Sequence, residues 1–146
     1  MIAYGNPLRG DDGIGPRVAD RLEALERSGH VEMVVRHQLT PELADPISRA
    51  ERVIFVDACV GQTAGAIIIS PVQPASPASA LTHQTTPESL LASAAELYGA
   101  APPAVVVTVC GGNFEFGEQL SPEVEAALPR LADEIRALIV GEPDHA

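Results

Sequence analysis

Gly5-Asn6-Pro7-Leu8-Arg9-Gly10-Asp11-Asp12-Gly13-Ile14-Gly15 is the stretch whose reading decides the fold. The apolar run before it, Met1 to Tyr4, reads as a buried strand. The glycines read as a loop, and Ile14, Val18, Leu22 and Leu25 fall on one face of a helix. Two adjacent carboxylates therefore sit where a helix begins. The partial positive charge of a helix N-terminus suits Asp11 or Asp12 as a cap. Loops of this kind also cradle phosphate. Here two aspartates would repel one, and neither G-x-G-x-x-G nor G-x-x-x-x-G-K-[ST] is present. A carboxylate directed out of this turn suits a cation better.

Outward from that stretch, strands and helices alternate. Pro16 lies in the first turn of its helix and Gly29 supplies the stop. Val31 to Val35 reads as a second strand. Thr40-Pro41-Glu42, Thr86-Pro87-Glu88 and Ser121-Pro122-Glu123 repeat one device, a capping residue followed by proline at the first helical position. They predict helices ending near Ala50, Tyr98 and Val140, with Pro46 kinking or splitting the first and Pro129 bending the last. Arg52 to Ala58 and Ala104 to Val109 are apolar enough for strands covered on both faces, the second of them central. Gly61 to Gly65 is a turn, too short for a parallel crossover. Ala66 to Ser70 is therefore expected to run antiparallel as an edge hairpin with the strand before it. Pro71 to Leu81, rich in proline, alanine and serine, is long enough to cross the height of the sheet and bring His83 to the upper rim. The expected architecture is a three-layer α/β/α sandwich with a mostly parallel sheet.

A chain of 146 residues is read as one domain, residues 1–146, and 46% hydrophobic side chains suffice for its core. The clipped first strand suggests a natural start a few residues upstream. A formal charge of −11 opposes nucleic acid and anionic membranes as partners and favours a cation or a basic protein face. No apolar run reaches the roughly 18 residues of a membrane span, and the first residues lack signal-peptide architecture, so a cytoplasmic location is expected. No heptad seam calls for a dimer, and a monomer is expected. Cys59 and Cys110 form neither a disulfide framework nor a C-x-x-C pattern and read as small buried apolar residues.

In such sheets ligands bind beyond the carboxyl ends of the strands. Asp12 follows the first strand, Asp57 ends the third and His83 precedes a helix starting at the same edge, so the three can converge. Two carboxylates and one imidazole with open positions suit a borderline divalent ion such as nickel or zinc. Asp11, Asn6 and Gln84 are placed to orient those ligands. His30, His37 and His145 read as exposed loop histidines. Phe114 and Phe116 read as packing beneath the glycine-rich loop 111–117, with a peptide groove as the alternative. No G-x-S-x-G elbow, H-E-x-x-H pair or thiol–histidine signature occurs. A hydrolase built on this chain would activate its water with a metal or with carboxylates.

The first block, followed by Val53-Ile54-Phe55-Val56-Asp57-Ala58 and then His83, resembles the hydrogenase maturation proteases in order and spacing. The resemblance implies a five-stranded sheet between helices. It also implies an endopeptidase that trims the C-terminal extension from the large-subunit precursor of a nickel–iron hydrogenase, recognising nickel already inserted there. Asp12 stands at the family's first acidic ligand, often a glutamate, Asp57 at the second and His83 at the histidine. Ala3 replaces a glycine common two positions before Gly5, and aspartate at position 12 shortens the reach by one methylene.

Two mechanisms follow from that resemblance. Either Asp12, Asp57 and His83 hold the precursor's nickel and a bound water is activated, or Asp12 and Asp57 share a proton as an acid–base pair. Metal-dependent recognition with hydrolysis by water, and no covalent intermediate, is the preferred form. The alternatives are a nucleotide-binding α/β module, which Asp11 and Asp12 oppose, and a nickel-handling chaperone that leaves its client uncut.

Overall fold

Val53-Ile54-Phe55-Val56 and Val105-Val106-Val107 are β-branched or aromatic throughout, a composition suited to ribbons covered on both faces. In the computed structural model, which describes residues 1–61, 63–76 and 84–141, they form the centre of one five-stranded sheet. Its strands are β1 (Ile2–Tyr4), β2 (Val34–Arg36), β3 (Val53–Val60), β4 (Ile67–Val72) and β5 (Ala104–Gly111), in the order β2-β1-β3-β5-β4. β3 and β5 pair in parallel from Val53 opposite Ala104 to Val60 opposite Gly111. β1 pairs in parallel with both β2 and β3, and β4 is the antiparallel edge. This is the expected α/β sandwich, four parallel strands and one antiparallel.

Alternation along the strands divides the core in two. On one face Val56, Val107 and Val109 pack with α1 (Ile14–Arg21) and α5 (Pro122–Val140) through Ile14, Val18, Leu128, Leu131 and Ile135. On the other, Ile2, Phe55 and Ala104 pack with α3 (Ala44–Ser48), the 3-10 turn Pro41–Leu43 before it and α4 (Pro87–Tyr98), through Leu43, Ile47, Leu90 and Leu91. A short α2 (Glu23–Arg27) continues α1 after a break at Leu22. The guanidinium of Arg52 donates to the carbonyls of Leu138 and Ile139, satisfying the end of α5.

Three expectations are corrected. β4 does run opposite to β3, but the two form no hairpin, because β5 lies between them and pairs with both. Stepping over β5 means crossing two strand spacings, about 10 Å, a distance the turn between Val60 and Ile67 covers. Edge position leaves Ile68 and Ile69 exposed. β2 begins at Val34 rather than Val31, since its partner among the described residues is the three-residue β1. The three proline-led starts hold, but only Thr86 caps its helix with its side chain, in a reciprocal pair with Ser89. Thr40 gives its hydroxyl to Glu42 ahead of a 3-10 turn, and Ser121 gives its hydroxyl to Asp11. Of the proline-rich crossing, Pro71 and Val72 belong to β4, and the Ala75 N–H donates to the Glu88 carbonyl. The remainder of it, His83 and the tail 142–146 lie outside the described residues. No described helix is long and apolar enough to cross a membrane.

Candidate active site

The sheet order sets the site. From β1 the chain moves outward to β2, and from β3 it moves the other way to β5 and β4. The crevice between the carboxyl ends of β1 and β3 is thus the switch point where α/β sheets bind ligands. Helix α1 closes against that crevice because Gly15 has no side chain. A Cβ there would stand 3.0 Å from the Tyr4 carbonyl oxygen and 3.2 Å from that of Val56.

The adjacent aspartates point to different tasks, and neither caps a helix by its side chain. Asp11 is fully buried. Its carboxylate accepts the N–H groups of Gly112, Asn113 and Ser121 at 2.7, 2.9 and 2.7 Å and the Ser121 hydroxyl at 2.8 Å. Burial alone would raise its pKa, but these donors, led by Ser121, hold it below the usual carboxylate range. Backbone bonds add to the tie: Asp11 N–H to the Asn113 carbonyl, Gly10 N–H to Gly117, and Gly117 N–H to Leu8. Asp11 therefore ties the β1–α1 loop to the β5–α5 loop and does not orient Asp12, as its expected supporting role required.

Asp12 is half-buried and its Oδ2 accepts the Asn6 N–H at 2.7 Å. The approach depends on Gly5, whose φ of +147° lies outside the range favoured by side-chain-bearing residues; a Cβ there would collide with the Asp12 backbone. Asn6 thus supports Asp12 through its main chain, while its side-chain oxygen accepts the Leu8 N–H at 2.9 Å.

Asp57 sits at the end of the apolar part of β3. Burial pushes its carboxyl up to about 6. The Ala58 N–H, donating to Oδ1 at 2.7 Å, and the Tyr4 phenol both oppose that rise, and the negative charge of Asp12 adds to it. Tyr4 is itself pushed well above the usual phenol range, chiefly by burial and then by Asp57. The structure thus brings Asp12 and Asp57 within reach of each other's charge. Tyr4 lies beside Asp57 in this candidate site, and motif reading missed it. The alternation of Ile2 and Tyr4 on one face of β1, next to β3, was the signal that could have found it.

An open cavity of about 610 Å³ adjoins Asp12, lined also by Asn6, Arg9, His37, Gln38 and Phe114. His37, expected as a plain loop histidine, is exposed at the end of β2 yet faces this cavity. Arg9 is exposed and forms no ion pair among the described residues. Phe114 does pack under its loop, close over Gly111, whereas Phe116 projects into solvent at 82% exposure. A second cavity, of about 460 Å³, lies at the opposite ends of β1 and β3 near Met1 and Arg52 and includes neither aspartate. Among the described residues no three His, Cys, Asp or Glu side chains cluster to hold an ion. His83 falls outside that description, and Gln84 beside it is exposed.

No protein-family model matches the chain, and no curated protein sequence matches it. Solved structures do. The hydrogenase maturating endopeptidase HybD from E. coli is similar at a TM-score of 0.72 and 23% identity, covering 94% of this chain and 89% of that one. A hydrogenase 2 maturation peptidase from a Thaumarchaeota archaeon is similar at 0.70 and 24%, covering 97% of both chains. These two speak for the fold. The [NiFe] hydrogenase maturation protease HycI from Thermococcus kodakarensis is similar at 0.69 and 26% identity, covering 97% of this chain and 90% of that one. The chain thus shares the fold of solved hydrogenase maturation proteases over nearly its whole length, and it carries a pair of aspartates at the switch point of that fold.

Proposed function

We propose that this chain removes the C-terminal extension of a nickel–iron hydrogenase large-subunit precursor after nickel insertion, with Asp12, Asp57 and His83 grasping the precursor's nickel. The observation that carries the reading is Asp57, half-buried at the carboxyl end of β3 beside the β1–β3 crevice, where burial raises its pKa to about 6 and the negative charge of Asp12 adds to the rise. Two carboxylates whose charges oppose each other favour a cation between them, and oxygen donors with an imidazole suit a divalent borderline ion. The net charge of −11 fits a cationic cargo and a precursor with a basic face.

Without nickel, a carboxylate with a pKa of about 6 is mostly ionised at neutral pH and ready to take a cation; the oxygen it leaves uncoordinated is the one placed to accept a proton from water. In the proposed reaction water attacks the scissile carbonyl and its proton passes to Asp57. That proton is then delivered to the leaving amide nitrogen, with no covalent intermediate. Tyr4 and the Ala58 N–H hold the Asp57 carboxylate in place. Nickel, when bound, polarises a carbonyl and offsets the repulsion between the two aspartates.

The influence of Asp12 on Asp57 also favours a second reading, in which the pair shares one proton and the metal serves recognition alone. Nickel-loaded and nickel-free precursors, each incubated with the protein and run on a denaturing gel, test the proposal. A shortened large subunit from the loaded precursor alone is expected. Equal cleavage of both would remove nickel recognition. A precursor bound but uncut under all conditions would make the chain a chaperone.

A further inference from the structure

Cys59 and Cys110 take no part in the chemistry above, yet they face each other across the β3–β5 register with their sulfurs 3.1 Å apart. Directly opposed residues on neighbouring strands stand about 5 Å apart. That lies inside the roughly 4.4–6.8 Å Cα separation that a disulfide spans. The sulfurs need to approach by about 1 Å to bond. Access is unequal. Cys110 is buried, and the backbone at Gly61 crosses so close to its sulfur that a side chain there would collide with it. Cys59 is only half-buried and is the sulfur a small molecule reaches first. It lies two residues beyond Asp57 on the same face of β3.

We propose that Cys59 and Cys110 are a redox-active dithiol that a small-molecule disulfide closes into a bridge at the rim of the site. Because the strand separation already suits a disulfide, closure turns the Cys59 sulfur toward β5 with little strand movement and places the bridge at the rim two residues beyond Asp57, where it narrows the approach to that carboxylate. In the first step the Cys59 sulfur bonds to one sulfur of the reagent and displaces the other half as a thiol. In the second, the Cys110 sulfur bonds to Cys59 and displaces the remaining half. The two protein thiol protons end on the two released thiols. Two electrons pass from the cysteine pair to the reagent. A small thiol in excess reverses both steps. The effect on cleavage rests on the peptidase function proposed above; formation of the bridge does not.

The test incubates the whole chain with glutathione disulfide, quenches with an alkylating agent and measures intact mass, alongside Cys110→Ala, Cys110→Ser and Cys59→Ala. The wild type should lose two hydrogen atoms and retain no glutathione. Both Cys110 variants should retain one glutathione, and Cys59→Ala none. Glutathione retained on the wild type, or a wild type still reduced where the Cys110 variants are fully modified, would overturn the dithiol. Bridged protein should lose cleavage of the nickel-loaded precursor and regain it with dithiothreitol. Bridged protein cleaving at the reduced rate would overturn the coupling to Asp57. The mass measurement stands whether or not the precursor is the substrate.

Discussion

Asp11 and Ser121, 110 positions apart in sequence, are joined twice: the Asp11 carboxylate accepts both the backbone N–H and the hydroxyl of Ser121. Together with Gly112 and Asn113 this gives one buried carboxylate four donors, all from the β5–α5 loop and the start of α5. Replacing Asp11 by Asn turns an acceptor-only group into one that presents N–H to N–H. The expected cost is about 3 kcal/mol, from lost charged hydrogen bonds and buried donors left unpaired. Because the folded pKa is depressed, the stability Asp11 confers is complete above the ordinary aspartate value and is lost as pH falls through the folded value. Urea titrations should show a large gap between wild type and Asp11→Asn at neutral pH that narrows below about pH 3. A gap independent of pH would contradict this assignment.

Asp57 behaves in the opposite sense. Its folded pKa of about 6 lies above the ordinary aspartate value, so the fold favours the protonated form. The stability tied to that form is complete below about pH 4 and is lost as pH rises through 6. In metal-free buffer Asp57→Asn, neutral at every pH, should therefore melt higher than wild type at about pH 8, by on the order of 2 kcal/mol, with the difference closing below about pH 4. Calorimetry at both pH values checks it. A variant less stable than wild type at the higher pH would mean that burial is not what raises Asp57.

Tyr4→Phe removes the phenol that donates to Asp57 and opposes the rise in its pKa. The carboxyl should then titrate above 6, moving the acid limb of the cleavage rate to higher pH while the plateau rate is kept within a few-fold. An acid limb that stays in place would show that Tyr4 does not govern the ionisation of Asp57 during turnover.

Arg9 and His37 line the cavity beside Asp12 and are exposed. Arg9→Gln and His37→Ala should raise the KM for the precursor by about tenfold with a smaller effect on kcat, as expected for groups that bind ground state and transition state alike. Melting temperatures should stay near wild type, since both are surface substitutions. Steady-state kinetics with purified precursor separates the two parameters, and an unchanged KM in both variants would exclude this cavity from substrate contact.

The sheet's centre was legible because Val53–Val56 and Val105–Val107 carry an apolar signal that does not depend on distant partners. The helix starts were legible because proline after a threonine or serine acts locally. Strand neighbours were not: whether β4 pairs with β3 or with β5 depends on where a strand more than thirty residues later in the chain inserts. The placement of Asp12 and Asp57 by the crevice was legible, because both belong to motifs at strand ends. Tyr4, Arg9 and His37 belong to no motif, and their place is fixed by which strands adjoin. Asp11 and Asp12 look equivalent in sequence. What separates them is the β5–α5 loop, which surrounds one with donors and leaves the other facing the cavity.

The most direct measurement is the rate at which wild type, Asp12→Asn and Asp57→Asn release the C-terminal extension from nickel-loaded precursor, followed by mass spectrometry, with each variant first shown to be folded. The account predicts release by the wild type and a loss of at least about a thousandfold in each variant, the scale expected for a group that carries charge or a proton in the reaction. Release by folded Asp57→Asn at the wild-type rate would contradict it.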